Sequence, residues 1–230
     1  MKNITPLEKN LGIKFKNKNL LHTALVHRSY LNENPRFPLP HNERLEFLGD
    51  AVLELIVTKF LYENFASPEG ELTTYRASLV NTRALSGMAR RLKIKQFLYL
   101  SKGEKESSGK AKEVILANTF EAVIGAVYLD QGFLCAEQFI KRVLLPELDF
   151  ILAHKLFKDA KSKFQEIAQG KFKITPEYKV IEERGPDHAK KFTIGVYVGK
   201  KLIAQGTGKS KQDAETQAAG NALKKGLPKI

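Results

Sequence analysis

Apolar side chains recur at helical spacing through residue 153 and alternate with a period of two after residue 170. No single regular architecture accommodates both periods. The switch therefore predicts an all-α domain over residues 1–153, a linker over 154–160 and a small domain with strands over 161–230. In the first part, helices are expected at Asn19–Tyr30, Asn42–Phe65, Glu71–Leu92 and Glu113–Leu129. NENPRFPLPH, with its three prolines, must be a loop. The polar stretch SKGEKESSGKAKE reads as a mobile connection, and Pro146 should bend or stop the following helix. In the last part, a short helix at Lys163–Gln169 precedes strands at Glu177–Glu183, Lys190–Val198 and Lys201–Gly208. Tyr178 and Val180, then Phe192, Ile194 and Val196, mark half-buried faces, and Gly199-Lys200 makes a tight turn. Ser210 is a good N-cap for an alanine-rich helix running to Lys225. The expected order is α-β-β-β-α, an antiparallel sheet with both helices on one face.

Charge separates the two parts as clearly as periodicity does. The 230 residues carry 38 Lys and Arg against 25 Asp and Glu, a net +13 with an isoelectric point near 9.7. Residues 1–153 contribute +4 of this and residues 154–230 contribute +9, so the excess sits where a nucleic-acid module would carry it. Hydrophobic content of 43% excludes a disulfide-stapled miniprotein and wholesale disorder. The single cysteine, Cys135, cannot form an internal disulfide and fits a reducing compartment. No membrane-length apolar run and no signal-peptide pattern are present, so a cytoplasmic protein without a membrane partner is expected.

The segment HNERLEFLGDAVLELIV carries the sharpest chemical signal. Glu43, Glu46, Asp50 and Glu54 fall within roughly 80° of one helix face. Such a stripe is either the solvated side of an amphipathic helix or a set of carboxylates converging on a cation, because like charges at these spacings repel. A second segment, VILANTFEAVIGAVYL, favours the cation. Its clearly polar side chains are Asn118, Thr119 and Glu121 on a helix expected to be buried all round. A carboxylate there needs a partner, either an arginine or a metal. Asn118 and Glu121 share a face, and facing the first stripe they would offer oxygen ligands suited to Mg²⁺. Mg²⁺ beside a polyanion-binding module points to phosphodiester hydrolysis. Cys135 and the histidines show no metal-ligand or triad spacing, His27 reads as structural, and no P-loop is present.

These residues resemble the ribonuclease III family. NERLEFLGDAVL is similar to its signature segment, and LVHRSY, EGELTTYRASLVN and ILANTFEAVIGAVYLD match in order and spacing. The C-terminal third resembles the family's double-stranded-RNA-binding domain. The resemblance implies a homodimeric all-α endonuclease that cuts double-stranded RNA with Mg²⁺, with Mn²⁺ as a substitute and no organic cofactor. The products would be 5′-phosphate and 3′-hydroxyl ends with a short 3′ overhang, made in processing structured rRNA and mRNA precursors. By position, Glu46, Asp50 and Glu121 would be metal ligands, Asp50 and Glu121 the catalytic pair, and Glu43 and Glu69 accessory acids. Glu54 matches no role and returns to the solvated-face reading. Asn118 stands where the family often has aspartate, so its metal ligand is uncharged and Mg²⁺ affinity should be weaker.

In the second domain, similarity places RNA contacts at Gln165 and Glu166, at Pro186, Asp187 and His188, and at Lys209, Ser210 and Lys211. The last group also stands on physical grounds, since lysines and free N–H groups at a helix N-terminus attract phosphate. Such a domain reads A-form shape rather than sequence. The competing expectation is a non-catalytic double-stranded-RNA-binding scaffold with a degenerate nuclease domain, suggested by Asn118 alone.

Overall fold

The computed structural model describes residues 1–153, 160–186 and 190–225. The chain divides into two units, Met1–Phe157 and Lys158–Ile230. The first is helical: α1 (Thr5–Leu11), α2 (Lys18–Ala24), α3 (Arg28–Glu33), α4 (Glu43–Asn64), α5 (Glu69–Leu79), α6 (Thr82–Arg91), a 3₁₀ turn (Ile94–Phe97), α7 (Lys102–Glu106), α8 (Lys110–Val143) and α9 (Pro146–Ala153). Helix α8 is the axis of this unit. Leu116, Phe120, Val123, Ile124 and Val127 are buried along it, and α2, α4 and α6 pack around it.

The α4–α8 pairing is the most extensive, and two glycines explain how close it is. A Cβ on Gly49 of α4 would lie 1.8 Å from the carbonyl oxygen of Glu121, and one on Gly125 of α8 would lie 2.3 Å from that of Leu45. The two backbones therefore meet glycine to backbone, closer than any side chain permits. Around that crossing, Leu45, Val52, Leu53, Ile56 and Val57 bury one face of α4. Its start is fastened by Asn42, whose backbone N–H donates to Val26 (2.9 Å) and whose amide donates to Ala24 (3.3 Å).

Several expected helices break where a backbone group finds a better partner. The segment 19–30 is two helices, because Val26 forms a parallel bridge with Tyr99. Tyr99 N–H donates to Leu25, His27 N–H donates to Tyr99, and the His27 ring caps α3 by accepting from Ser29 N–H. The structural reading of His27 follows. The segment 71–92 likewise divides at Val80–Asn81, where Asn81 caps α6 by accepting from Ala84 N–H at 3.0 Å. The polar stretch after residue 100 holds the short helix α7, capped by Ser101. Helix α8 outruns its expected end because Gly132 takes φ 82°, ψ 179°, a kink open to glycine that lets the helical run resume. Nor is α8 buried all round, since Val114 and Leu129 are exposed. Pro146 opens α9, where its missing N–H costs no hydrogen bond.

The second unit has α10 (Ala160–Phe172), β1 (Glu177–Arg184), β2 (Lys191–Val198), β3 (Lys201–Gly208) and α11 (Lys211–Lys225). Its strands pair antiparallel in the order β1-β2-β3. Phe164 and Ala168 of α10 and Ala218, Ala219 and Ala222 of α11 share a core with Val196, Val198, Ile203 and Ala204. Alanines on α11 and Gly206 and Gly208 on β3 allow a close fit, since a Cβ on Gly206 would meet the Ala218 nitrogen at 2.2 Å. Helix α10 is longer than its expected seven residues at both ends. Val180, expected to be half-buried, is 43% exposed. It lies on the edge strand, just before the register shift between Val180 and Glu182, while α11 covers β2 and β3. Residues 154–159, nearly all of the expected linker, lie outside the described residues.

The two glycines make a direct test. Gly49→Ala or Gly125→Ala is expected to destabilise the N-terminal unit by at least about 3 kcal/mol, because backbone must move to admit the methyl. Gly87→Ala, in α6 with nothing within 4 Å of the new Cβ, should instead stabilise by up to about 1 kcal/mol. Urea unfolding of the three variants measures both.

Candidate active site

The crossing at Gly49 is also what assembles the carboxylates. Gly49 adjoins Asp50, and the α8 residue whose carbonyl it approaches is Glu121. Glu46, Asp50, Asn118 and Glu121 consequently meet on the α4–α8 seam. Asn118 lies beside the half-buried Glu46 carboxylate, near enough to favour its charged form. Burial raises the Glu46 pKa, the Asn118 hydrogen bond opposes that rise, and the negative charges of Glu43 and Asp50 add to it. Glu121 is pushed up to about 7, first by burial and then by repulsion from Asp50, Glu46 and Glu54. The arginine partner that was the other possibility for Glu121 does not materialise. Among the described residues neither Glu121 nor Asp50 has an ion pair or a side-chain hydrogen bond.

The acidic stripe is ion-paired at its two ends, and among the described residues its middle members, Glu46 and Asp50, have no ion pair. At the first end, Glu43 is 3.4 Å from the Arg28 guanidinium and 3.7 Å from His41 Nδ1. At the other, Arg76 Nε lies 3.1 Å from Glu54, and its Nη1 donates to Thr58 at 2.9 Å. Glu54 is therefore an ion-pair partner rather than a merely solvated carboxylate. Arg28 and Arg76 were not singled out in the sequence, because nothing in their spacing reveals which carboxylate each will reach.

Among the described residues no three His, Cys, Asp or Glu side chains form a group tight enough to enclose a metal ion by themselves. The donors available on this seam are oxygens, the carboxylates of Glu46, Asp50 and Glu121 and the side-chain carbonyl that Asn118 could offer. Mg²⁺ suits such a set, since it takes one or two carboxylates directly and keeps several waters. The fit rests on exposed Asp50 and half-buried Glu121, neither of which has an ion pair among the described residues.

Glu69 is not part of this cluster. It begins α5 and lines a cavity of about 510 Å³ with Thr58, Leu61, Tyr62, Leu72 and Arg76. Thr58 is about 12 Å along the α4 axis from Asp50. The same helix presents another feature that apolar composition had hidden. Phe47, Leu55 and Tyr62 are 82%, 58% and 78% exposed. On the helical wheel they form a strip next to the carboxylates, which lie between it and the buried face. Their helical spacing was legible in the sequence, but not which apolar strip the core would take.

In the second unit, Gln165 and Glu166 are exposed on α10, away from buried Phe164 and Ala168. Pro186 is exposed after β1, whereas Asp187 and His188 lie outside the described residues. Lys209, Ser210 and Lys211 are exposed at the start of α11, where Ser210 Oγ accepts from Asp213 N–H at 3.1 Å.

The first unit supplies a stability test. The folded chain keeps the Glu121 proton up to a pH of about 7, while an unperturbed carboxyl releases it near 4.5. The fold, in chelator, should therefore lose stability as pH rises through that window, having its full contribution below it. Thermal melting in EDTA from about pH 5 to about pH 8 is expected to show a steeper decline for the natural chain than for Glu121→Gln.

Comparison with known proteins assigns a family to each unit. Residues 17–148 match the family model described as Ribonuclease-III-like, and residues 160–225 match the double-stranded RNA binding motif. The chain is 43% identical to a protein named Ribonuclease 3 from Dehalococcoides mccartyi, over 97% of this chain and 94% of that one. It is 46% identical to Ribonuclease 3 of Oceanobacillus iheyensis over 96% of each. Among solved structures, the nuclease domain of ribonuclease III from Campylobacter jejuni superposes with a TM-score of 0.57 at 41% identity, covering 64% of this chain and 97% of that domain. A second structure of that domain, whose description refers to a region involved in dimer formation, gives 0.56 at 42% identity, covering 61% and 95%.

Proposed function

The chain belongs to the ribonuclease III family of endoribonucleases, and on that premise we propose that it cuts double-stranded RNA at the α4–α8 seam, with Mg²⁺ as the cofactor and Mn²⁺ as a substitute. The observation that carries this reading is Glu121, a half-buried carboxylate held near a pKa of 7 beside Asp50 and Glu46, with no counterion among the described residues. Such a group has a reason to persist only if a cation or a proton completes it.

Glu46, Asp50, Asn118 and Glu121 would hold the ion. Bound there, a divalent cation supplies Lewis-acid chemistry, polarising the scissile phosphate and stabilising the leaving alkoxide. The side chains do the rest. Asn118, beside Glu46, favours the charged form of that carboxylate. Asp50, exposed and unpaired, faces the substrate side, and Glu121 can keep or release a proton near neutral pH. Glu43, tied to Arg28, borders the site as an accessory acid. The products are 5′-phosphate and 3′-hydroxyl ends with short 3′ overhangs, from structured rRNA and mRNA precursors in the cytoplasm. Among the described residues no helix is long and apolar enough to cross a membrane.

The working form is a homodimer joined through the exposed strip of Phe47, Leu55 and Tyr62. Large exposed apolar side chains along one side of a helix mark a surface made to be covered. Because the strip borders the carboxylates, a second copy seated there would place the two acidic sites near each other. Glu69 then acts at the rim of that interface. The C-terminal unit supplies affinity through Gln165, Glu166, Pro186, Asp187, His188, Lys209, Ser210 and Lys211, reading shape and phosphate.

A labelled duplex of about 30 bp incubated with the full chain tests the assignment. Fragments with 3′ overhangs are expected with Mg²⁺ and not with EDTA, and neither Asp50→Asn nor Glu121→Gln should cut. Tight binding without cutting would favour the scaffold, and recovery of cutting in Asn118→Asp would trace the loss to that one ligand. Light scattering should return twice the 25.9 kDa of one chain, falling to one chain in Phe47→Glu.

A further inference from the structure

The C-terminal unit does not leave all its lysines bare. Glu183, next to the last residue of β1, faces two of them from different elements. Its Oε1 is 3.3 Å from Lys211 Nζ on the first residue of α11, and its Oε2 is 3.6 Å from Lys190 Nζ just ahead of β2. Lys211 Nζ also lies 5.7 Å from the centre of the Phe192 ring. The other paired carboxylates of β1 behave differently. Glu177 and Glu182 pair with Lys179 and Arg184 on their own strand, at 2.9 and 2.5 Å. Glu183 reaches across to the helix, and Lys209, two residues before Lys211, has no ion pair among the described residues.

We infer that Glu183 is an internal counterion of the RNA-facing lysines, holding Lys211 over Phe192 until an RNA phosphate displaces it. The inference rests on the proposed role of the α11 start as a phosphate contact. Three features of the geometry favour competition over simple bracing. Both contacts are long for an ion pair, and the carboxylate is shared between two lysines rather than locked in a bidentate pair with one. The Lys211 side chain is 59% exposed, so the pair is weak and reversible. Finally, a carboxylate within reach of Lys211 is also within a Debye length of any phosphate that Lys211 contacts, and repels it. Its effect is to lower the affinity for any duplex and to soften the dependence on salt, so that dwell on non-substrate RNA is shortened.

Fluorescence anisotropy of the full chain on a labelled duplex of about 20 bp, in EDTA so that nothing is cut, tests this. Titrations at several KCl concentrations from about 50 to about 300 mM give the salt slope. Glu183→Gln is expected to bind about three- to tenfold tighter at the low end, with a log–log salt slope steeper by up to about one. That gain should shrink in a Lys211→Ala background, because the competition acts mainly there. Weaker binding by Glu183→Gln at an unchanged slope would overturn the inference and make Glu183 a brace, and unchanged binding would overturn it as well. Lys209→Ala and Lys211→Ala check the underlying reading separately. If neither weakens binding, the α11 start is no phosphate contact and the inference falls with it. If both do while Glu183→Gln changes nothing, only the inference falls.

Discussion

The contact on which the N-terminal unit depends is the one made where two side chains are missing. Gly49 and Gly125 let α4 and α8 approach backbone to backbone, Gly49 facing the carbonyl of Glu121 and Gly125 that of Leu45. Packing of Leu45, Val52, Leu53 and Ile56 on the buried length of α8 follows from that approach, and so does the chemistry. Asp50 is the neighbour of one glycine, and Glu121 bears the carbonyl that glycine meets. A wider crossing would leave Glu121 with room for water and an ordinary pKa. The close one holds it half-buried beside two other carboxylates, with a pKa near 7. The stability of the fold and the electrostatic tension of the site have one cause.

Both units handle charge in the same way, pairing selected members of a like-charged set and leaving others without an ion pair among the described residues. On α4, Arg28 and Arg76 take the outer carboxylates, so that the uncompensated charge is confined to the middle. At the start of α11, Glu183 pairs with Lys211 while Lys209 has no ion pair among the described residues. Counting charges along the chain identifies each set but not its division. Surface pairs of this kind contribute little to stability. They do decide where a cation or a phosphate finds an unoccupied partner.

Much of the fold was legible in the sequence because it depends on local physics. The long helix after Asn42 ends at Asn64, one residue short of the Phe65 its periodicity indicated, and the Lys201–Gly208 strand and the Ser210-capped helix lie where alternation and capping put them. The misreadings share another origin. The helix expected over 19–30 breaks because Tyr99, far away in sequence, offers backbone partners at Leu25–His27. Val180 has the period of a half-buried strand's inner face but lies on a sheet edge beside a bulge. In each case a partner remote in sequence outweighed local preference.

The site divides along the same line. By itself the sequence determined which groups could act: four carboxylates on one face of α4, an Asn and a Glu one turn apart on a second apolar helix, and lysines around a helix N-cap. Residue type and helical geometry settle those, since they need nothing beyond the 3.6-residue turn. Only the tertiary structure decided which carboxylates meet, which are paired off by Arg28 and Arg76, and which apolar strip of α4 stays outside with Phe47, Leu55 and Tyr62. A helix with carboxylates between two apolar strips can bury either one. The glycine at position 49 and the helix it admits make the choice.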